Sequence, residues 1–261
     1  MSVILVEDEI VHFEVLGRGK PVIFLHSWVG SWRYWIPTMQ AASIGYRAYA
    51  LDLWGYGDSA KCGRYQINDQ VQLVSQFMEM MGISRTALIG HGLGAELAVQ
   101  FALDFPDYVD RMMTLAYPVG ENSINQAWFE NFQPGLIEDL LDKNAMDATI
   151  KSENQKADPL AIQKSGEHDQ NNHRILDWAN IKIPWVMVSA QNDGLVEAPR
   201  NDQLAGLPEN IHAILFEDCG HFIMLEESSK FQRLMTEFLS LPSGKSPSEL
   251  KLKEEWKRRM R

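Results

Sequence analysis

The stretch Thr86-Ala87-Leu88-Ile89-Gly90-His91-Gly92-Leu93-Gly94 joins an apolar run to a helical pattern through a glycine-rich turn. The run is contiguous rather than alternating, which is what a parallel strand covered on both faces requires. Working outward, the same pattern recurs at residues 21–26, 48–53, 112–116, 185–189 and 213–216. Two shorter strands, 3–6 and 10–16, flank an acidic turn at the start. Helical patterns lie between these runs, at 67–81, 93–104 and 228–239, with a turn near 198–205. Strand–helix alternation of this kind predicts an α/β fold, one open and mostly parallel sheet with helices on both sides.

One interval breaks the rhythm. From 119 to 180 no strand-like run occurs, while Trp128, Phe132, Leu136 and Leu140 recur at helical spacing. The insertion reads as a helical cap over the carboxyl edge of the sheet, where open sheets bind ligands. Residues 1–118 and 181–243 are then the core. At 261 residues the length corresponds to about 1.7 average domains, or here one domain carrying a cap.

Four local patterns follow the strands in one chain order. They are Phe24-Leu25-His26-Ser27-Trp28, Asp52-Leu53-Trp54-Gly55-Tyr56-Gly57-Asp58-Ser59, Gly90-His91-Gly92-Leu93-Gly94, and the pair Asp193 and His221 after later strands. Together they resemble the α/β-hydrolase superfamily over about residues 10 to 240. The first is similar to that family's His-Gly oxyanion turn and the second to its D-x-x-G-x-G-x-S loop. The third occupies the place of the nucleophile elbow G-x-S-x-G, and positions 92, 193 and 221 keep the order nucleophile, acid, histidine. The resemblance implies a serine-hydrolase lineage acting on esters or similar carbonyl substrates.

The match fails at one position. Residue 92 is glycine, with no heteroatom for a base to activate, so an acyl-enzyme cannot form there. That absence predicts no labelling by a serine-directed fluorophosphonate and little turnover of p-nitrophenyl acetate or butyrate. By resemblance, the backbone N–H groups of Trp28 and Leu93 are the oxyanion-hole donors. Ser27 stands where the family usually has glycine, either crowding that hole or adding a hydroxyl. Asp193 and His221 are expected to form a dyad, while His26 and His91 read as structural residues at their turns. Ser27, His91 and Trp128 are the expected lining of an apolar pocket under the cap, which suits a small, largely apolar ligand.

Neither a cofactor nor a metal is expected: His168 and His173 lack ligand spacing, and Cys62 and Cys219 form no Cys-x-x-Cys pair. The separated cysteines and a start carrying Glu7, Asp8 and Glu9 favour a cytoplasmic location. The net charge of −11 argues against a nucleic-acid partner. The tail, 244–261, is basic instead, and Leu252, Trp256 and Met260 mark it as an amphipathic helix. It packs on the acidic body or contacts a membrane or a protein. Three functional classes fit these residues: a hydrolase with a degenerate triad, an inactive relative that binds a ligand or partner, and a non-hydrolytic enzyme using the His221–Asp193 dyad as base.

Overall fold

The computed structural model describes residues 2–120, 123–130, 137–138, 140–141, 146–171, 178–242 and 245–250. Its eight strands are β1 (Ser2–Val6), β2 (Glu9–Gly17), β3 (Lys20–Leu25), β4 (Tyr46–Leu51), β5 (Thr86–His91), β6 (Val109–Leu115), β7 (Trp185–Ala190) and β8 (Ile211–Phe216). They form one sheet in the order β1-β2-β4-β3-β5-β6-β7-β8. Only the β1–β2 and β2–β4 pairings are antiparallel. Every other neighbour is parallel. β5 and β7 are buried along their whole length, as their contiguous apolar residues require. The edge strand β1 alternates instead and leaves Val3 and Leu5 exposed.

Four helices flank the sheet: α1 (Ile36–Ala42), α2 (Ile67–Met80), α3 (Leu93–Asp104) and α8 (Ser228–Ser240). α1 packs on α8 and α2 on α3, and a single turn, α7 (Ile223–Glu226), precedes α8. The helix α1 is absent from the sequence-based expectation. It has seven residues, carries Pro37 in its first turn and follows a 3₁₀ turn at Trp32–Trp35, so no apolar periodicity develops.

The segment between β6 and β7 contributes α4 (Gln126–Glu130), α5 (Asp147–Asn154) and α6 (Pro159–Asn171). These helices are tied to the loops that follow β3 and β4. Glu153, nearly buried, accepts from Ser31 Oγ at 2.9 Å and pairs with Arg33 at 3.0 Å and Lys156 at 2.8 Å. Lys156 also reaches Asp58 at 3.0 Å, and Tyr65 donates to Asp158 at 2.6 Å. Exposed ion pairs contribute little, but a carboxylate with three partners and almost no water is costly to separate from them. A shift of α5 would strand Glu153, so the segment is held to the sheet's carboxyl end.

Phe132, Leu136, His173 and residues 251–261, with Leu252, Trp256 and Met260, lie outside the described residues. At the near end of the tail, Ser246 caps a 3₁₀ turn at Pro247–Glu249 by accepting from the Ser248 N–H at 3.1 Å. No described helix is long and apolar enough to cross a membrane.

Candidate active site

The site forms where β3, β5, β7 and β8 end. β5 runs into α3 through Gly92, whose φ of +53° and ψ of −113° lie where side-chain-bearing residues are strained. Glycine adopts this conformation without a Cβ penalty. The turn is fixed from several sides. Gly92 N–H donates to Leu115 O at 2.9 Å, Gly94 N–H donates to His26 O at 3.0 Å, and Ala95 N–H donates to Gly92 O at 2.9 Å. At Gly94 a Cβ would lie 2.3 Å from Leu25 O, so only glycine lets α3 approach β3 this closely.

His221 follows β8 and Asp193 follows β7. The His221 Nδ1 lies 2.9 Å from one Asp193 oxygen and 3.0 Å from the other. Both side chains are essentially withdrawn from solvent. Asp193 Oδ1 also accepts from the N–H groups of Leu195 at 2.8 Å and Val196 at 3.0 Å, which fix the carboxylate's position. Nδ1 therefore donates, and in the neutral ring Nε2 is left as the acceptor on the far side.

That acceptor is already engaged. Ser27 Oγ lies 3.0 Å from His221 Nε2, across 194 positions of sequence. The sequence marks Ser27 as a pocket-lining residue that either crowds the oxyanion hole or adds a hydroxyl to it; the bond to His221 goes beyond those expectations. A Cβ at residue 92 would lie 2.2 Å from the same Ser27 Oγ. The Ser27 hydroxyl thus fills the space in which a side chain at the elbow would begin.

The main chain of Ser27 is pinned on both sides. Its carbonyl accepts from His26 Nδ1–H at 2.7 Å, and His26 Nε2 in turn accepts from the Leu53 N–H at 3.0 Å. Its N–H donates to Tyr34 OH at 2.7 Å. Tyr34 then donates to His91 Nδ1 at 3.0 Å, and His91 Nε2–H donates to the His221 carbonyl at 2.9 Å. One proton arrangement satisfies the whole chain, and it requires a neutral His91. Burial, and then the adjacent His221, hold His91 well below the ordinary histidine range. His91 and Tyr34 thereby connect the Ser27 turn to the His221 turn, and His91 has no free ring nitrogen with which to line a pocket.

The two expected oxyanion donors lie beside this group. Leu93 heads α3, where a helix leaves its first N–H groups without internal acceptors. Neither Leu93 N–H nor Trp28 N–H donates to another described residue. The Trp28 ring covers Gly92, with a ring carbon 2.9 Å from where a Cβ would be. Phe129 of α4 packs edge-on to Trp28 at 5.5 Å, and Trp128 packs on Phe129 at 5.2 Å. Trp128 therefore reaches the site through one intervening ring rather than directly. The Trp28 indole N–H is buried without an acceptor among the described residues.

Two other groups prove structural. Asp52 accepts from His12 Nδ1 at 2.9 Å, Trp32 N–H at 3.0 Å and Asp58 N–H at 2.9 Å. Its oxygens are within 4.8 Å of ligand atoms on His12 and Asp58, but these three donors already occupy them. Ser59 closes the loop by donating to Asp52 O at 2.6 Å. Cys219, two residues before His221, is a buried thiol that burial and nearby Glu226 push up and away from the thiolate form.

Known proteins share this fold. The family profile described as alpha/beta hydrolase fold matches residues 20–144. Bifunctional epoxide hydrolase 2 of Sus scrofa is 24% identical over an alignment that covers 88% of this chain and 53% of that protein, so the chain spans about half its length. Pimeloyl-[acyl-carrier protein] methyl ester esterase of Vibrio cholerae is 23% identical, with 87% of this chain and 97% of that one covered. Among solved structures, the enol-lactonase from Burkholderia xenovorans LB400 superposes with a TM-score of 0.81 at 17% identity, covering 92% of this chain and all of that one. With a strand–turn–helix elbow at Gly92 and an acid and a histidine after the last two strands, the chain has the α/β-hydrolase fold.

Proposed function

We propose that the protein hydrolyses a small carbonyl substrate, an ester or a lactone, with His221 as the base and Asp193 as the group that orients it. One observation carries this reading: a buried carboxylate fixes His221 Nδ1–H and aims Nε2 at the turn after β3, where the Trp28 N–H is unengaged, as is the Leu93 N–H on the turn after β5. A base so oriented removes the proton from an attacking oxygen. The Trp28 and Leu93 N–H groups supply the donors for the charge that develops on the carbonyl oxygen, in surroundings that exclude water. The ester- and lactone-cleaving relatives support the same substrate class. Segment 119–180 serves as the cap, and the rings of Trp28, Phe129 and Trp128 favour a substrate with an apolar acyl portion. Two free thiols, Cys62 and Cys219, fit a cytoplasmic enzyme.

The test is a panel of p-nitrophenyl acetate, p-nitrophenyl butyrate and small lactones, run with the wild type and with His221→Ala. The expected outcome is turnover of at least one member that falls by on the order of 10²–10⁴-fold in the variant. Equal turnover by both proteins, or none on the whole panel, would overturn the hydrolase reading.

A further inference from the structure

We propose that Ser27, in the turn after β3, is the nucleophile of this site and supplies the hydroxyl that Gly92 lacks. The inference rests on the hydrolase reading above and adds to it the identity of the attacking atom.

Three observations lead to Ser27. Its Oγ is the only side-chain group hydrogen-bonded to His221 Nε2 among the described residues. In the neutral ring that acts as a base, Nδ1 donates to Asp193 and Nε2 accepts, so the serine hydroxyl is the donor, as a general base requires before attack. Next, the 2.2 Å between Ser27 Oγ and the position a Cβ would take at residue 92 puts this oxygen within one atom's width of the elbow side chain's own space. Finally, the Ser27 backbone is held by Tyr34 and His26 at 2.7 Å each, and the Tyr34–His91 link ties it to His221. Nucleophile and base are thus fixed relative to each other before substrate binds, which is what orientation contributes to catalysis. Buried Cys219, its thiol kept protonated, offers no competing nucleophile.

Ser27 Oγ bonds to the acyl carbon while its proton passes to His221 Nε2 and the carbonyl π pair moves onto oxygen. The oxyanion collapses, the bond to the leaving alkoxide breaks, and Nε2–H delivers the proton to that alkoxide. Water then attacks the Ser27 ester and gives a proton to Nε2. The Oγ–acyl bond breaks, and the proton returns to Oγ.

The experiment treats the full chain with a serine-directed fluorophosphonate and, separately, with the smaller phenylmethanesulfonyl fluoride. Intact mass and fragmentation of the tryptic peptide 19–33 then locate the adduct; that peptide also contains Ser31, which serves as an internal control. We expect one adduct per chain, on Ser27, formed with loss of fluoride. It is absent in Ser27→Gly and Ser27→Ala and forms at least 100-fold more slowly in His221→Ala. Glycine is the residue usual at this turn in the family, so the Ser27→Gly variant removes the hydroxyl with little disturbance, and thermal melting of each variant verifies folding. An adduct elsewhere, or none under conditions that label a known serine hydrolase, overturns the proposal. The two readings fail differently. Ester turnover that needs His221 but persists in Ser27→Ala keeps the hydrolase and removes the nucleophile. A Ser27 adduct with no turnover on the ester and lactone panel keeps the nucleophile and removes the substrate class.

Discussion

The turn after β3 and the turn after β5 face each other across one small space, and their side chains are reversed relative to the family. At the β5 turn the backbone keeps the strained conformation of a nucleophile elbow, but Gly92 carries nothing. At the β3 turn, where the family's residue is usually glycine, Ser27 carries a hydroxyl and bonds His221. In the proposed reaction the sheet fixes where the attacking atom lies; it does not fix which of the two turns must supply it. His221 and Asp193 are common to both possibilities, because Nε2 points at the shared space and not at a particular residue.

The comparison breaks first at the shared component. Asp193→Asn should cut acylation by up to about 10⁴-fold, since an amide cannot hold the tautomer in which Nδ1 donates. Rates of probe labelling at Ser27 in wild type and variant measure this. Unchanged labelling would mean that the two turns work without the dyad.

The next largest effect concerns the two turns directly. Gly92→Ser alone should destabilise the fold, because its Cβ meets Ser27 Oγ and Trp28. Overpacking costs about 1–3 kcal/mol and the strained backbone a similar amount, so the melting temperature should drop by several degrees. Adding Ser27→Gly clears the space, and in the double variant labelling should move to residue 92. A single variant as stable as wild type would show that the two side chains do not compete.

Tyr34→Phe probes the link between the turns. It leaves the buried Ser27 N–H without its acceptor and His91 Nδ1 without its donor. Denaturant unfolding should register a loss of about 1–3 kcal/mol. If stability is unchanged but labelling slows, the link positions Ser27 without holding the fold together.

The smallest effect is on pH. Burial is the main reason that His26 and His91 both lie below the ordinary 6.5. The unfolded chain takes up these protons near pH 6.5, whereas the native chain does so only at lower pH. The stability from keeping both rings neutral is therefore complete above 6.5 and declines as pH falls below it. Melting temperatures at pH 7.5 and 5.5, the latter still above the ordinary carboxylate range, should show a decrease. No decrease would contradict the neutral His91 that the Tyr34 link requires.

The sheet was legible because its strands are long apolar runs separated by helices, a pattern set by burial on both faces. The start of α3 at Leu93 matched to the residue, since the glycines before it leave little freedom. α1 escaped detection because one short helix behind a proline carries no periodic signal. The pairing of Asp193 with His221 followed from their places after successive strands. The bond to Ser27 did not, because a serine in a turn has no pattern and its partner is 194 positions away. One local signal was available: a glycine where the family has a hydroxyl, together with a hydroxyl where it has glycine.

The 2.2 Å overlap at Gly92 has an evolutionary consequence. Positions 27 and 92 cannot vary independently, for serine at both overlaps and glycine at both removes the hydroxyl bonded to His221 Nε2. A lineage moving between the two arrangements one substitution at a time must cross one of these two defective pairs. Each arrangement is therefore isolated from the other, and descendants of this chain should retain reciprocal residues at the two positions even as the surrounding loops diverge.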